Sequence, residues 1–589
     1  MNKRTTAILP LLTLGIFTFL ILFPFGTNVA LFDWDEINFA ESAREMLVTK
    51  NFSQVQINYE PFWEKPPLFI WLQALSMHVF GVGEFAARFP NIIVGVFTIG
   101  IFFTIGLKRI GGLSGILWAL VWLGSWAPHF YFKTGLIDPL FNLLIFLGLY
   151  FNYLSITSSS DNKTSVWAGV FTGLAILTKG PVALLVSVLT LFVLSFIQRR
   201  FSVLTWKQWL LYLLTTALVS SLWFVPEIVK NGPWFLVEFI QYQIELASEN
   251  VAGHKQPFYY HPIVLLLLAF PASIFALKNI FSLKQNQDYE YTKSSFLQLM
   301  FALFWVVLVI FSIVETKIVH YSSLCWYPLT FFAAYNVNNW FYEKTKPNKI
   351  QLILFILVGL IWVALFAILY LFSIQNSSLF NFLAQIKDPL ALAQINQQIP
   401  LWNSWATAFV LLVFGIVFIL VLVLWYLKKF HHLGILLFSC IMIVVPMLSK
   451  YVVPAVEAQL QGKLVAFYQS IAHKDAYIVS WHKSYAPYFY AKTLPLDSSD
   501  AWYKEKNSFV EKLFSQDTSS KRLNQEQRMH LFNHQVDWMM HAEIDKDFYL
   551  VFKTNQEPSF ILNENEKLDT IEIGGGFKAF KRSKKREEE

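Results

Sequence analysis

Gln351-Leu352-Ile353-Leu354-Phe355-Ile356-Leu357-Val358-Gly359-Leu360-Ile361-Trp362-Val363-Ala364-Leu365-Phe366-Ala367-Ile368-Leu369-Tyr370-Leu371-Phe372-Ser373 contains no charged side chain. As a helix rising ~1.5 Å per residue, such a run crosses a hydrocarbon core of ~30 Å. Working outward, comparable runs fall near 7–27, 88–107, 114–132, 136–156, 165–178, 180–198, 208–229, 262–280, 298–315, 322–338, 404–427 and 432–453. With the first, that makes about thirteen expected spans. Composition agrees: the chain is 55% hydrophobic and 14% charged, with mean hydropathy +0.47, whereas soluble domains carry about 25% charged residues. Aromatic side chains, 17% of the chain, suit lipid-facing surfaces and interfacial belts.

The net charge of +7 is spread over loops and accompanies no recognition motif, so nucleic acid is not an expected partner. Cys325 and Cys440 sit far apart in apolar segments and suggest neither a disulfide nor a cysteine metal site. Residues 1–30, with Lys3 and Arg4 first and Asn28-Val29-Ala30 last, have the outline of a cleavable signal but are expected to stay as the first span. Lys108/Arg109, Arg199/Arg200/Lys207, Lys278/Lys284/Lys293, Lys344/Lys346/Lys349 and Lys428/Lys429 then share a side with Lys3/Arg4, which makes that side cytoplasmic. The long loops 28–87, 230–261 and 374–403 face outward.

An odd number of spans also sends residues 454–589 outward, and their composition becomes that of a soluble domain. Ala476-Tyr477-Ile478-Val479-Ser480-Trp481 and Phe548-Tyr549-Leu550-Val551-Phe552 read as strands between polar helical stretches. The expected fold is therefore mainly α and polytopic over 1–453, with a small α/β extracytoplasmic domain over 454–589. No internal repeat is visible, which disfavours transporters built from two similar halves.

The first outer loop, 28–87, holds the densest chemistry. In Leu31-Phe32-Asp33-Trp34-Asp35-Glu36-Ile37-Asn38-Phe39-Ala40-Glu41, three carboxylates fall within four residues, a pattern that also suits a helix N-terminus. Ile37, Phe39, Ala43, Met46 and Leu47 predict an amphipathic helix along the membrane interface. Tyr59-Glu60-Pro61-Phe62-Trp63-Glu64-Lys65-Pro66-Pro67-Leu68 follows, its double proline setting a rigid turn before a second helix.

These stretches carry a resemblance. Asp35 to Met46, Trp63 to Leu72, and Phe80-Gly81-Val82-Gly83-Glu84-Phe85-Ala86-Ala87-Arg88-Phe89-Pro90 are similar to motifs of the 4-amino-4-deoxy-L-arabinose transferase-like family. Further matches are Gly173 to Pro181, Gly253-His254-Lys255-Gln256-Pro257-Phe258-Tyr259-Tyr260, and Glu315-Thr316-Lys317-Ile318-Val319-His320-Tyr321. That family belongs to the C-type membrane glycosyltransferases, which include protein O-mannosyltransferases. Where its members commonly read Asp-Glu-x-Arg-Tyr-Ala-Glu, this chain has Asn38 and Phe39, so sugar and acceptor do not carry over.

The resemblance implies sugar transfer from a polyprenyl-phosphate (undecaprenyl-phosphate) donor to an envelope acceptor, such as a lipid A phosphate, on the periplasmic face of a bacterial inner membrane. It implies Asp35 as the catalytic aspartate, base or acceptor-orienting, supported by Asp33 and Glu36, and Asp138 as a second acidic position. Asp138 is also an ionisable group near the outer end of a span, where charge is costly unless paired or functional. Lys65, Arg88, Lys179 and Lys317 lie by topology at the outer boundary, where a leaving phosphate would meet them, though lysine and arginine there can also snorkel to headgroups. Tyr259 and Tyr321 could hydrogen-bond phosphate or sugar, although aromatics at this boundary more often serve as interfacial anchors. Glu64 and His254 suggest a divalent ion such as zinc, and the resemblance associates one with this region; no organic cofactor is expected. A protein O-glycosyltransferase and a glycolipid flippase are the alternatives; membrane lipids are partners in each.

Overall fold

The computed structural model describes residues 5–23, 29–62, 64–157, 162–248, 256–282, 291–342, 345–397, 401–516, 523, 525–558 and 568–584. Seven of its helices are long and apolar enough to cross a membrane: Glu84–Arg109, Asp138–Thr157, Trp206–Asn231, Lys293–Ile313, Lys349–Ser373, Ser404–Tyr426 and Phe430–Ser470. Shorter apolar helices accompany them, and the protein is a multi-pass membrane protein. Helices dominate because lipid offers no partner to a free backbone N–H or C=O.

Several expected spans are broken rather than continuous. The run 114–132 forms Ser114–Leu123 and Trp126–Tyr131. The run 262–280 forms Tyr260–Leu268 and Ala272–Phe281, with Pro271 at the break. The run 322–338 begins in a 3-10 turn, Val319–Cys325, before the helix Trp326–Phe341. Thirteen uninterrupted spans are therefore not what forms.

Packing is close and aromatic. A Cβ on Gly115 would lie 2.3 Å from the Phe103 carbonyl oxygen, so the absence of a side chain lets Ser114–Leu123 press against Glu84–Arg109. Phe102 stacks on Trp118 with centroids 4.2 Å apart, and Tyr327 meets its edge at 5.2 Å.

The helical run from Phe430 continues to Ser470, past the change of composition near 453, through two π turns at Leu448–Val452 and Ala458–Gly462. Beyond it lies a four-stranded sheet. Ala476–Ser480 pairs parallel with Asp547–Lys553, which pairs antiparallel with Phe577–Arg582, and that strand with Asp569–Gly574. The two strands read from sequence are present. Alternation sends Phe548, Leu550 and Phe552 to a core shared with Trp502, Val536 and Met539, while Tyr549 and Val551 join the main core.

In the first loop, Asp35–Thr49 and Leu68–Phe80 are helical as expected. The first does not leave a polar face open, however. Residues Glu36 through Met46 are all buried, because its polar face is also covered. Arg44 pairs with Glu41 at 2.6 Å and donates to the Thr493 carbonyl at 2.9 Å, and Tyr59 Oη donates to the same oxygen at 2.7 Å.

Candidate active site

Asp35 and Asp138 are each the first residue of a helix, Asp35–Thr49 and Asp138–Thr157. The fold brings both to one imidazole. His320 Nε2 lies 3.4 Å from Asp35 Oδ2 and 3.8 Å from Asp138 Oδ2. Lys179, the last residue of the helix Asn162–Lys179, donates to Asp138 Oδ1, and its Nζ sits 4.9 Å from the Tyr321 ring centroid. All five side chains line a cavity of about 370 Å³, together with Asp33, Glu64, Lys65 and Tyr242.

Exposure separates the two acids. The Asp138 side chain is 4% exposed and that of Asp35 is 37% exposed, so Asp35 is the one open to an occupant of the cavity. Burial acts to raise the Asp35 carboxyl. The hydrogen bond and charge of His320, joined by the charges of Lys65 and Lys179, outweigh it and hold the group well below the usual carboxylate range. Asp35 is thus an anion flanked by cations.

Lys65 faces the Tyr242 ring at 5.7 Å, and Tyr242 Oη donates to Glu64 Oε2 at 2.8 Å. Burial, then the neighbouring Glu64 carboxylate, push the Tyr242 phenol up, so it stays an O–H donor.

Asp33 belongs to the wall. Its Oδ1 accepts from Trp34 N at 2.8 Å and from Tyr485 N at 3.3 Å. Lys483 stands 4.3 Å from the Trp34 ring centroid. Two residues from the C-terminal region therefore complete the rim.

Two of the residues singled out from sequence, Arg88 and Lys317, have different positions, and Glu36, at the cavity wall, is engaged by Arg88. Arg88, expected at a donor phosphate, is fully buried and does not line the cavity. It donates to Glu36 Oε1 and Oε2, both at 2.8 Å, and to the carbonyls of Val29 and Ala30 at 2.7 and 3.0 Å. Glu36 also accepts from Phe32 N and Gly135 N. This pair ties the acidic loop to the helix Glu84–Arg109, so both side chains act as a brace. Lys317 is buried with Nζ on the Val314 carbonyl at 2.6 Å, and its neighbours Thr316 and Ile318 reach the cavity instead.

His254 lies outside the described residues. Among the described residues no group of three His, Cys, Asp or Glu is arranged to hold a metal.

Sequence reasoning missed His320, Tyr242, Lys483 and Tyr485. His320 stood inside a quoted motif, between Lys317 and Tyr321. The others carried no signal, because their role comes only from proximity in the fold.

Residues 64–224 match the family model described as dolichyl-phosphate-mannose-protein mannosyltransferase. The chain is 27% identical over 344 residues to an undecaprenyl phosphate-alpha-4-amino-4-deoxy-L-arabinose arabinosyl transferase of Edwardsiella ictaluri, covering 55% of this chain and 59% of that one. It is 28% identical over 346 residues to the like-named protein of Shewanella sediminis, covering 57% and 60%. The chain thus spans about three-fifths of the length of these curated relatives. The crystal structure of ArnT from Cupriavidus metallidurans bound to undecaprenyl phosphate superposes over 98% of both chains, with TM-score 0.68 and 14% identity. The fold is shared, and the resemblance read from the motifs is borne out.

Proposed function

We propose that this protein, an arabinose transferase-like chain in fold and motifs, is a membrane glycosyltransferase. It takes a sugar from a polyprenyl-phosphate donor and passes it to an envelope acceptor on the extracytoplasmic face of the inner membrane. The observation that carries this reading is Asp35, open to a cavity it shares with Lys65, Lys179, Tyr321 and His320. The names of the curated relatives support undecaprenyl phosphate as the carrier, as does the undecaprenyl phosphate bound to the similarly folded ArnT.

In this reaction an acceptor oxygen attacks the anomeric carbon from the side opposite the phosphate. The carbon–oxygen bond to phosphate breaks, and its electron pair leaves on polyprenyl phosphate. Lys65 and Lys179 offset the charge that develops there. If the acceptor is a hydroxyl, its proton passes to Asp35; if it is a lipid A phosphate, already ionised, Asp35 orients it. In-line displacement inverts the anomeric centre. Residues 1–453 hold the site and residues 454–589 stand on the same outward side, where Lys483 and Tyr485 meet it.

The test is to incubate the purified full chain in lipid with candidate polyprenyl-phosphate sugars and follow release of polyprenyl phosphate, comparing wild type with Asp35→Asn. Release with wild type and its loss in the variant are expected. Equal release from both would remove Asp35 from this role, and translocation of the lipid without sugar release would favour a flippase. A protein acceptor, which the matched family model's description names, is tested by adding peptide to the same assay.

A further inference from the structure

We infer that His320 positions Asp35 for transfer, as a hydrogen-bond donor that stands beside Asp138, fixes one Asp35 oxygen and leaves the other to the acceptor. This rests on the reading above and adds a residue that neither the motifs nor the relatives assign.

The geometry is specific about the ring. Its Nε2 is 3.4 Å from Asp35 Oδ2 and 3.8 Å from Asp138 Oδ2, and carboxylates only accept hydrogen bonds. A lone pair facing both would be repelled, so Nε2 carries hydrogen whether the ring is neutral or charged. Lys179 already occupies Asp138 Oδ1, which leaves Oδ2 to the imidazole.

The backbone beneath the ring is held as well. His320 lies in the 3-10 turn Val319–Cys325. Ser322 Oγ is 3.0 Å from His261 Nδ1, and Asn142 Nδ2 donates to Ser323 Oγ at 2.8 Å. Two separate helices, Tyr260–Leu268 and Asp138–Thr157, therefore fix where the imidazole stands.

Charge gives the pairing a consequence. The groups acting on His320 are Asp35 and Asp138 on one side, with Lys179 and Lys65 beyond them, and Tyr321, His261 and Lys317 on its own side. With the ring charged, Asp35, Asp138, Lys179 and His320 balance two against two. With the ring neutral, one negative charge is left over where the phosphate must depart.

The test uses the full chain in lipid with His320→Ala, His320→Asn and His320→Gln. With the donor that turns over in the release assay, we expect kcat to fall about ten- to a hundred-fold in the alanine variant and donor KM to change much less. The asparagine or glutamine variant, which keeps an N–H, should recover part of the rate. Independently of any sugar donor, carbodiimide labelling of Asp35 read by peptide mass spectrometry should show its titration midpoint moved to higher pH. Wild-type kcat, or a lost rate with no rescue by asparagine or glutamine and an unchanged labelling midpoint, would overturn the inference. Failure of every donor to turn over would sink the transfer reading while the labelling result still judges His320.

Discussion

Replacing Arg88 by methionine separates a brace from a phosphate ligand. The guanidinium is fully buried and makes two parallel bonds to Glu36 at 2.8 Å. Without it, Glu36, itself 1% exposed, keeps only the Phe32 and Gly135 amides, and the Val29 and Ala30 carbonyls lose a donor. Leaving one member of a buried ion pair uncompensated costs about 3–5 kcal/mol, which is a large part of a typical domain's stability of about 5–15 kcal/mol.

Thermal unfolding of the detergent-solubilised protein, followed by size-exclusion chromatography of the surviving monomer, should show R88M much less stable than wild type. Glu36→Leu alone strands the arginine and should destabilise similarly. The double variant removes both charges and should be far more stable than the sum of the two losses, with a coupling energy on the order of 3 kcal/mol. Donor KM of the folded fraction should stay near wild type. An R88M protein as stable as wild type, with donor KM raised several-fold, would refute the brace and restore Arg88 to the phosphate.

Other outcomes follow from the same geometry. Lys65→Met should raise donor KM about ten- to a hundred-fold, the weight of one charge-assisted contact of about 1.5–3 kcal/mol, with unfolding unchanged; an unaltered KM in the release assay would remove Lys65 from the phosphate. Asp35→Asn should slow transfer to a hydroxyl acceptor by about 10²- to 10⁴-fold and transfer to a phosphate acceptor by less, so comparing the two acceptor classes reports whether Asp35 takes a proton. Glu45 is pushed up to about 9, by burial first and then by the Glu41 charge, so the folded protein holds a proton that the unfolded chain has released. Between about pH 4.5 and 9 its contribution makes stability fall as pH rises; Glu45→Gln should flatten that part of the unfolding profile, and an unchanged slope would count against it.

The legible part of this molecule was whatever depends on neighbours in sequence. Apolar length gave the membrane helices, period-two alternation gave Phe548–Phe552 and Ala476–Ser480, and the clustering of Asp33, Asp35, Glu64 and Lys65 marked the loop that lines the cavity. Helix breaks were harder, since Ala269-Phe270-Pro271 lies within a run apolar enough to be read as continuous. Arg88 was misplaced because topology put it at the outer boundary without saying that Glu36, 52 residues earlier, would meet it there. The burial of both faces of Asp35–Thr49 could not be read from its own pattern, because the cover includes Thr493.

That distant cover bears on Asp35 itself. Trp34, immediately before it, has φ 80° and ψ −111°, a conformation that costs a non-glycine residue of order 1–3 kcal/mol and persists only where the surroundings fix it. Those surroundings come largely from beyond residue 460. Leu31 N donates to Tyr490 Oη at 2.7 Å, and the Leu31 carbonyl accepts from Gln461 Nε2 at 3.0 Å. Asp33 accepts from Tyr485 N, and Lys483 stands over the Trp34 ring. From the other direction, Asn38 N returns to the Trp34 carbonyl at 2.9 Å, the first turn of the helix that Asp35 opens. The Asp35 carboxylate is thus aimed by a strained residue held between its own helix and the C-terminal region. Loosening Tyr490 or Gln461 should act on transfer by letting Trp34 relax to negative φ and swing Asp35 away from His320, without touching any group in the cavity.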